Sequence, residues 1–146
     1  MSSPDPLTPD PADVARTMKT VAVVGLSPDA SRTSNRIAVY LQGAGFRVVP
    51  VHPGHEEILG EPAYRSLLAI PEEVEIDVVC VFRRPEFAAE VVQDASDRRD
   101  RTEQNPTVWT QIGVSSHDAQ RLAYEEAIPY VADRCLMVEH AALKPV

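Results

Sequence analysis

Two cysteines, Cys80 and Cys135, are all the chain has, too few for the disulfide framework of a small secreted domain. No apolar run reaches the roughly 20 residues that a membrane helix needs. The opening stretch, Met-Ser-Ser-Pro-Asp-Pro-Leu-Thr-Pro-Asp-Pro, has neither the basic start nor the apolar centre of a signal peptide. Its proline density predicts a flexible tail over 1–12, ahead of one domain over 13–146. Positive charge is scarce. Against 22 Asp+Glu stand 14 Lys+Arg, a net charge of −8, whereas a generic nucleic-acid binder presents a basic surface. The histidines and cysteines show no C-x-x-C or H-x-x-x-H spacing, so no metal is expected. Together these absences argue against nucleic acid and membrane as partners, though not against a local positive site, and point to the cytoplasm.

What is present reads as one globular domain. The chain has 146 residues, 44% apolar and 25% charged, long enough to bury a real core. Apolar runs alternate with helical patterns. Strands are expected at 20–24, 46–51, 76–82, 107–112 and 128–132. Helices are expected at 34–43, 85–95, 115–127 and 135–143, with a short one at 63–69. The third run, Ile-Asp-Val-Val-Cys-Val-Phe, is apolar nearly throughout, as suits a parallel strand covered on both faces. The order predicts an α/β fold: a doubly wound, mainly parallel, five-stranded Rossmann-like sheet with helices on both faces and strand order 3-2-1-4-5. Such sheets bind ligands beyond the carboxyl ends of their strands, where the strand order reverses.

The first strand end is the most informative place in the sequence. The run Val-Ala-Val-Val stops at Gly25, a polar loop with Ser27, Ser31 and Arg32 follows, and a helix begins near Ser34. Strand, glycine, hydroxyl-rich loop and helix N-terminus make an anion site, because the helix offers unpaired N–H groups and the positive end of its dipole. Other strand ends agree. His52 and Pro53 follow the second strand, Arg83 and Arg84 the third, Gln111 and Gly113 the fourth, and Arg134 the fifth. An acidic chain thus gathers Arg32, Arg36, Arg83, Arg84 and Arg134 toward one edge of its sheet, and the guanidinium fork suits phosphate.

The first turn does not carry G-x-G-x-x-G. It reads Gly25-Leu26-Ser27-Pro28-Asp29-Ala30, and the second strand ends in Val51-His52-Pro53 where a nicotinamide site wants an acid for the ribose. The Walker pattern is absent as well.

The ordered series Val-Ala-Val-Val-Gly-Leu-Ser (21–27) with Arg32 and Ser34, Tyr-Leu-Gln-Gly-Ala-Gly-Phe-Arg-Val-Val-Pro-Val-His-Pro (40–53), Gly-Glu-Pro-Ala-Tyr (60–64), Val-Phe-Arg-Arg-Pro (81–85), Val-Trp-Thr-Gln-Ile-Gly-Val (108–114) and Asp-Arg-Cys-Leu-Met-Val-Glu-His (133–140) resembles the CoA-binding domain family. These are small Rossmann-type proteins, similar to the domain that opens the alpha subunit of succinyl-CoA synthetase. The resemblance implies coenzyme A as the cofactor, with its phosphates at Gly25, Leu26, Ser27, Arg32 and Ser34. It implies the adenosine end along Val51, His52 and Pro53 and near Arg83. Arg84, Gln111 and Gly113 complete the candidate set from the residue pattern. His52 stands where the family commonly has asparagine. The charged run at 96–106 is read as a solvated loop or helix extension.

Chemistry is harder to find. Cys135, Glu139 and His140 could be a nucleophile with its base, but their spacing suits a closing turn and helix better, so no catalytic residue is assigned. If coenzyme A binds, Cys135 at the ligand edge is also a candidate for a mixed disulfide with the pantetheine thiol. Cys80 and Trp109 are expected in the core. The expectation is a protein that binds coenzyme A or an acyl-CoA at the carboxyl edge of its sheet and is not an enzyme on its own, with a homodimer left open. The alternatives are an acyl-CoA-handling enzyme or ligase component, and an NAD(H)-sensing Rossmann regulator.

Overall fold

Short valine-rich runs build the sheet, and they are buried along nearly their whole length. The computed structural model describes residues 6–143. Along the chain it contains α1 (Pro11–Thr17), β1 (Thr20–Val24), α2 (Thr33–Gly43), β2 (Arg47–Val51), β3 (Glu57–Ile58), β4 (Glu61–Pro62), β5 (Val78–Val81), α3 (Ala88–Thr102), β6 (Thr107–Thr110), α4 (His117–Glu125), β7 (Tyr130–Val131) and α5 (Leu136–Ala141). The five main strands pair in parallel, and β3 and β4 make a small antiparallel hairpin. Alternate residues of β1 serve different cores. Val21 and Val23 pack with Ile37, Ala38 and Leu41 of α2, while Ala22 and Val24 pack with Leu67, Ile70 and the α3 residues Val91, Val92 and Ala95. With both faces covered, an apolar residue is needed at every position.

The strand order differs from the expected 3-2-1-4-5. The sheet runs β2-β1-β5-β6-β7, which is 2-1-3-4-5 for the five expected strands. The connection from β2 to β5 explains the difference. Its apolar residues Leu67, Ile70 and Val74 are buried on the α3 face, opposite α2. A right-handed crossover on that face has to travel away from the direction taken by β1–α2–β2, so it passes back over β1 and lands beside it. The order therefore reverses between β1 and β5, and the loops after these two strands frame the site.

A buried arginine holds this crossover. Arg98 of α3 is 1% exposed, and its guanidinium donates to the carbonyls of Ile70 (2.7 Å), Val74 (2.8 Å), Pro71 (2.9 Å) and Leu67 (3.4 Å). Gln104 adds bonds to Glu72 O and Val74 O, both 3.0 Å. Between Tyr64 and β5 the crossover has only a single 3₁₀ turn, Leu67–Ala69, so its carbonyls need side-chain donors. The helix extension expected at 96–106 is present, since α3 continues to Thr102, but it is not wholly solvated: Arg98, one of its charges, serves the core. Arg99, beside it, donates to the carbonyls of Glu126 and Ala127 at the end of α4.

Part of the segment expected as a tail is ordered. Asp10 caps α1 by accepting from Ala12 N at 2.9 Å, Pro11 starts the helix, and Ala15 is buried. Leu7 O accepts from Tyr130 N at 3.1 Å. Residues 1–5 of the expected tail lie outside the described residues. No helix among the described residues is long and apolar enough to cross a membrane.

Candidate functional site

Gly25 is fixed by crowding. Its φ is +87°, and a Cβ there would lie 2.5 Å from the carbonyl oxygen of Phe82. Gly25 N donates to Val51 O at 2.9 Å, and Phe82 N donates to Val24 O at 2.8 Å. The ends of β1, β2 and β5 thus meet at this residue, and no side chain fits between them.

The loop that follows is held by its own polar groups. Ser27 N donates to Ser34 Oγ (3.0 Å), and Asn35 Nδ2 donates to Ser27 O (2.9 Å). Ser34 and Asn35 are buried, so their side chains act as loop anchors. Ser27 Oγ accepts from Asp29 N, and Asp29 Oδ1 accepts from the N–H and hydroxyl of Ser31. These bonds from Ser31, more than the nearby Arg32 charge, hold the Asp29 carboxyl below its ordinary pKa. Leu26 points into the core at 0% exposure, leaving only its backbone for a ligand. Arg32 is the N-cap of α2 but makes no side-chain capping bond, and the first turn of α2 has no acidic residue. The first turn of this 11-residue helix therefore offers N–H groups that no capping side chain takes, at the positive end of the dipole.

At the end of β2, His52 N donates to Tyr64 O at 2.8 Å, and His52 Nδ1 accepts from Gly54 N at 2.9 Å. Neutral His52 then carries its proton on Nε2. Partial burial, followed by the neighbouring His55, pulls its pKa below the ordinary histidine value. At the end of β5, the Arg83 and Arg84 guanidiniums lie 4.2 and 5.2 Å from the centre of the Phe87 ring. Their carboxylate partners are Glu90 at 3.9 Å and Glu86 at 3.2 Å. At the end of β6, Gln111 Nε2 donates to the buried Cys80 Sγ at 3.0 Å, and Gly113 N donates to Asp133 Oδ1 at 3.1 Å.

Three cavities meet along this edge. One of about 590 Å³ is bounded by Gly25, Val51, His52, Pro53, Arg83 and Arg84, together with Arg65, Ser66, Phe87 and Asp94. The next, about 390 Å³, is bounded by Gly25, Ser27, Arg32, Thr33 and Ser34. The third, about 490 Å³, is bounded by Thr33, Arg83, Arg84, Gln111, Gly113 and Cys135, with apolar walls from Ile37, Pro85 and Ile112. Phe82 borders all three, so they form one groove across the switch point. Every candidate residue except Leu26 lies on it. Of the other arginines expected at the edge, Arg36 is exposed on α2 away from the groove. Arg134 pairs with Glu139 at 3.2 Å.

The sequence reading missed Arg65, Ser66, Phe82 and Phe87. The first two sit in the crossover, where periodicity gives no signal. Phe82 was hidden because it reads as the end of a strand. Cys135, Glu139 and His140 do not form a catalytic set: Glu139 turns to Arg134, and His140 Nδ1 meets Tyr40 Oη at 2.8 Å. Trp109 is fully buried, and its indole N–H donates to Arg134 O at 2.8 Å.

Comparison with known proteins agrees with this architecture. The uncharacterized protein YneT of Bacillus subtilis is 33% identical over 132 residues, 90% of this chain and 93% of that one. Acetate–CoA ligase [ADP-forming] I of Archaeoglobus fulgidus is 31% identical over 116 residues, 80% of this chain but only 16% of the ligase. A hypothetical protein from Pyrococcus horikoshii superposes with TM-score 0.82 at 33% identity, covering 98% of this chain and 99% of that one. A solved protein from Thermus thermophilus superposes with TM-score 0.78 at 35% identity, covering 88% and 92% of the two chains. The model of the CoA binding domain matches residues 19–141, from the residue before β1 to the end of α5, and the chain belongs to that family.

Proposed function

We propose that this protein binds coenzyme A or an acyl-CoA in the groove along the carboxyl edge of its sheet, as a binding module without chemistry of its own. The observation that carries the reading is the open N-terminus of α2. It has no capping side chain and no acid in its first turn, and it stands beside Gly25 and Arg32 in the middle of the groove. A diphosphate suits that place, since it accepts from helix N–H groups and from a guanidinium at once. The flanking cavities differ in character as the two ends of coenzyme A do. The one at His52 and Pro53 mixes polar and ring side chains and suits a nucleoside. The one at Ile37, Pro85 and Ile112 is more apolar and suits a pantetheine arm, with the buried Gln111 and the partly exposed Cys135 beside it.

The residues fit NAD(H) less well. β2 ends in Val51, His52 and Pro53, with no carboxylate to take a ribose hydroxyl. Coenzyme A bound here would supply a thiol as acyl carrier. The chain's own part is to orient the phosphates, enclose the two arms and shield them from water. Isothermal titration calorimetry with coenzyme A and NADH in parallel tests the reading, and binding of NADH alone overturns it. Arg32→Glu is expected to weaken coenzyme A binding at least roughly tenfold, given a charge-assisted phosphate contact turned repulsive. Arg32 is exposed, so thermal unfolding should stay unchanged. Equal affinity in the variant refutes the phosphate role.

A further inference from the structure

The sheet ends in two outer strands, β2 and β7, and each is covered by a segment that is not one of its strands. Outside β2 lies Tyr64, whose N–H donates to Pro50 O (3.0 Å) and whose carbonyl accepts from His52 N (2.8 Å). This cover leads directly into the crossover that Arg98 grips. Pro50, within β2, has no N–H to offer a further strand. Outside β7 lies Leu7, whose carbonyl accepts from Tyr130 N at 3.1 Å.

The β7 edge has weaker safeguards of its own. In the parallel pair with β6, Val108 faces Tyr130, and Val108 N donates to Pro129 O. The N–H and the carbonyl of Tyr130 therefore both point away from β6, toward the edge. The run around them, Ile128-Pro129-Tyr130-Val131-Ala132, carries no charge, although charged side chains are what commonly keep an edge strand from pairing with a foreign one. The cover is also loose. A cavity of about 410 Å³ is bounded by Leu7, Thr8 and Pro9 on one side and by Tyr124, Tyr130 and Val131 on the other. Leu7 and Pro9 are half-buried, and Tyr124 beside them is 72% exposed. Pro9 has no N–H and cannot extend the Leu7 contact into a ladder. Segment 6–9 thus takes the place of a sixth strand without being one.

We infer that the β7 edge is an interaction surface for a second copy of this chain, held closed by residues 6–9. When this segment lifts, Tyr130 of two copies meets across a two-fold axis and exchanges both N–H···O bonds, as a hydrogen-bonded antiparallel pair does. The edge suits a second copy because its outward donor and acceptor belong to one residue, which makes it self-complementary. Tyr124, already exposed beside the edge, adds apolar area to the contact. Each copy carries a net charge of −8, so the pair forms at high concentration and strengthens with salt, which screens the repulsion. The inference is independent of what the groove binds.

The test uses the full chain carrying Leu7→Gly and Pro9→Gly, which removes both apolar anchors and adds no charge. Amide exchange followed by NMR reads the Tyr130 N–H, and sedimentation equilibrium over a concentration series reads the molar mass. In dilute solution Tyr130 is expected to exchange about tenfold faster than in the wild type, the worth of one hydrogen bond. As concentration or salt rises, the variant is expected to reach twice the molar mass of the wild type, with Tyr130 slow again. An unchanged molar mass overturns the inference. So does a doubled mass with Tyr130 still fast, which puts the association elsewhere. Tyr130 exchanging alike in variant and wild type also overturns it, since residues 6–9 then hold nothing closed. The amide of Val79, buried in the middle of the sheet, reports global unfolding. If its protection is lost, Leu7→Ala takes the place of the double variant in the same two measurements, with the same outcomes deciding.

Discussion

Replacing Arg98 with methionine should destabilise the fold by about 3 kcal/mol, with the largest single share from one carbonyl. Of the four acceptors of the Arg98 guanidinium, three have a second donor. Pro71 O also accepts from Val74 N, Val74 O from Gln104 Nε2, and Leu67 O from Ile70 N. Ile70 O, at 2.7 Å the shortest of the four contacts, has no other donor among the described residues. Its orphaning costs about 1–3 kcal/mol, and each remaining contact adds roughly 1 kcal/mol. Relief from burying a guanidinium offsets part of this total. For a chain of this size, about 3 kcal/mol corresponds to a fall in melting temperature of roughly 6–12 °C. Arg98→Lys is the informative companion. An ammonium is more strongly hydrated and lacks the planar fork, so lysine should be no better than methionine although it keeps the charge. Urea unfolding of the three proteins gives the comparison directly. If Arg98 were one more solvated charge on an exposed helix, both variants would fall within about 0.5 kcal/mol of the parent. That result would refute the role of Arg98 in holding the crossover.

Two further outcomes follow from the site geometry. Gly25→Ala forces a Cβ to 2.5 Å from Phe82 O at φ +87°, and a non-glycine residue in that region costs about 1–3 kcal/mol before the clash is counted. Thermal unfolding should show the loss even without ligand, and an unchanged melting temperature would mean that the strand ends do not converge as described. The two thiols should separate cleanly under alkylation. Cys80 is fully buried with its pKa pushed up to about 12, chiefly by burial, while Cys135 is partly exposed on the groove. Iodoacetamide on the folded protein should add once, at Cys135, and coenzyme A should slow it. Labelling of Cys80 at a comparable rate contradicts the packing of β5.

How much of this could be read from the sequence depended on whether the signal was local. The β1 loop was legible because glycine, serines and a helix start are adjacent in the chain, and the structure brings Gly25, Ser27, Arg32 and Ser34 to one cavity. The valine-rich strands were legible for the same reason. The strand order was not, because it depends on the face that the segment between β2 and β5 crosses. That choice is made by Leu67, Ile70 and Val74, which have no helical or alternating period, and by Arg98, which looked like part of a solvated run. The same blindness hid Arg65 and Ser66, which only the crossover brings beside His52.

This coupling between crossover and cavity explains why a buried charge is kept where an apolar residue would pack. An ordinary βαβ connection satisfies its backbone within a helix and covers the sheet with a rigid cylinder. Here the residues between Tyr64 and Val74 form only one short 3₁₀ turn, which lets the chain bend around the end of β2 and present Arg65 and Ser66 to the groove. The bend leaves carbonyls pointing inward, and a guanidinium with several donors in a fixed plane satisfies them from a single position on α3. A leucine at 98 would fill the volume and leave Ile70 O unpaired. A longer helix in the crossover would pair the carbonyls and carry Arg65 away from His52. Arg98 therefore belongs with the binding groove in its effect although it touches none of it: its variants should loosen ligand binding as well as the fold, through the wall that Arg65, Ser66 and Leu67 provide.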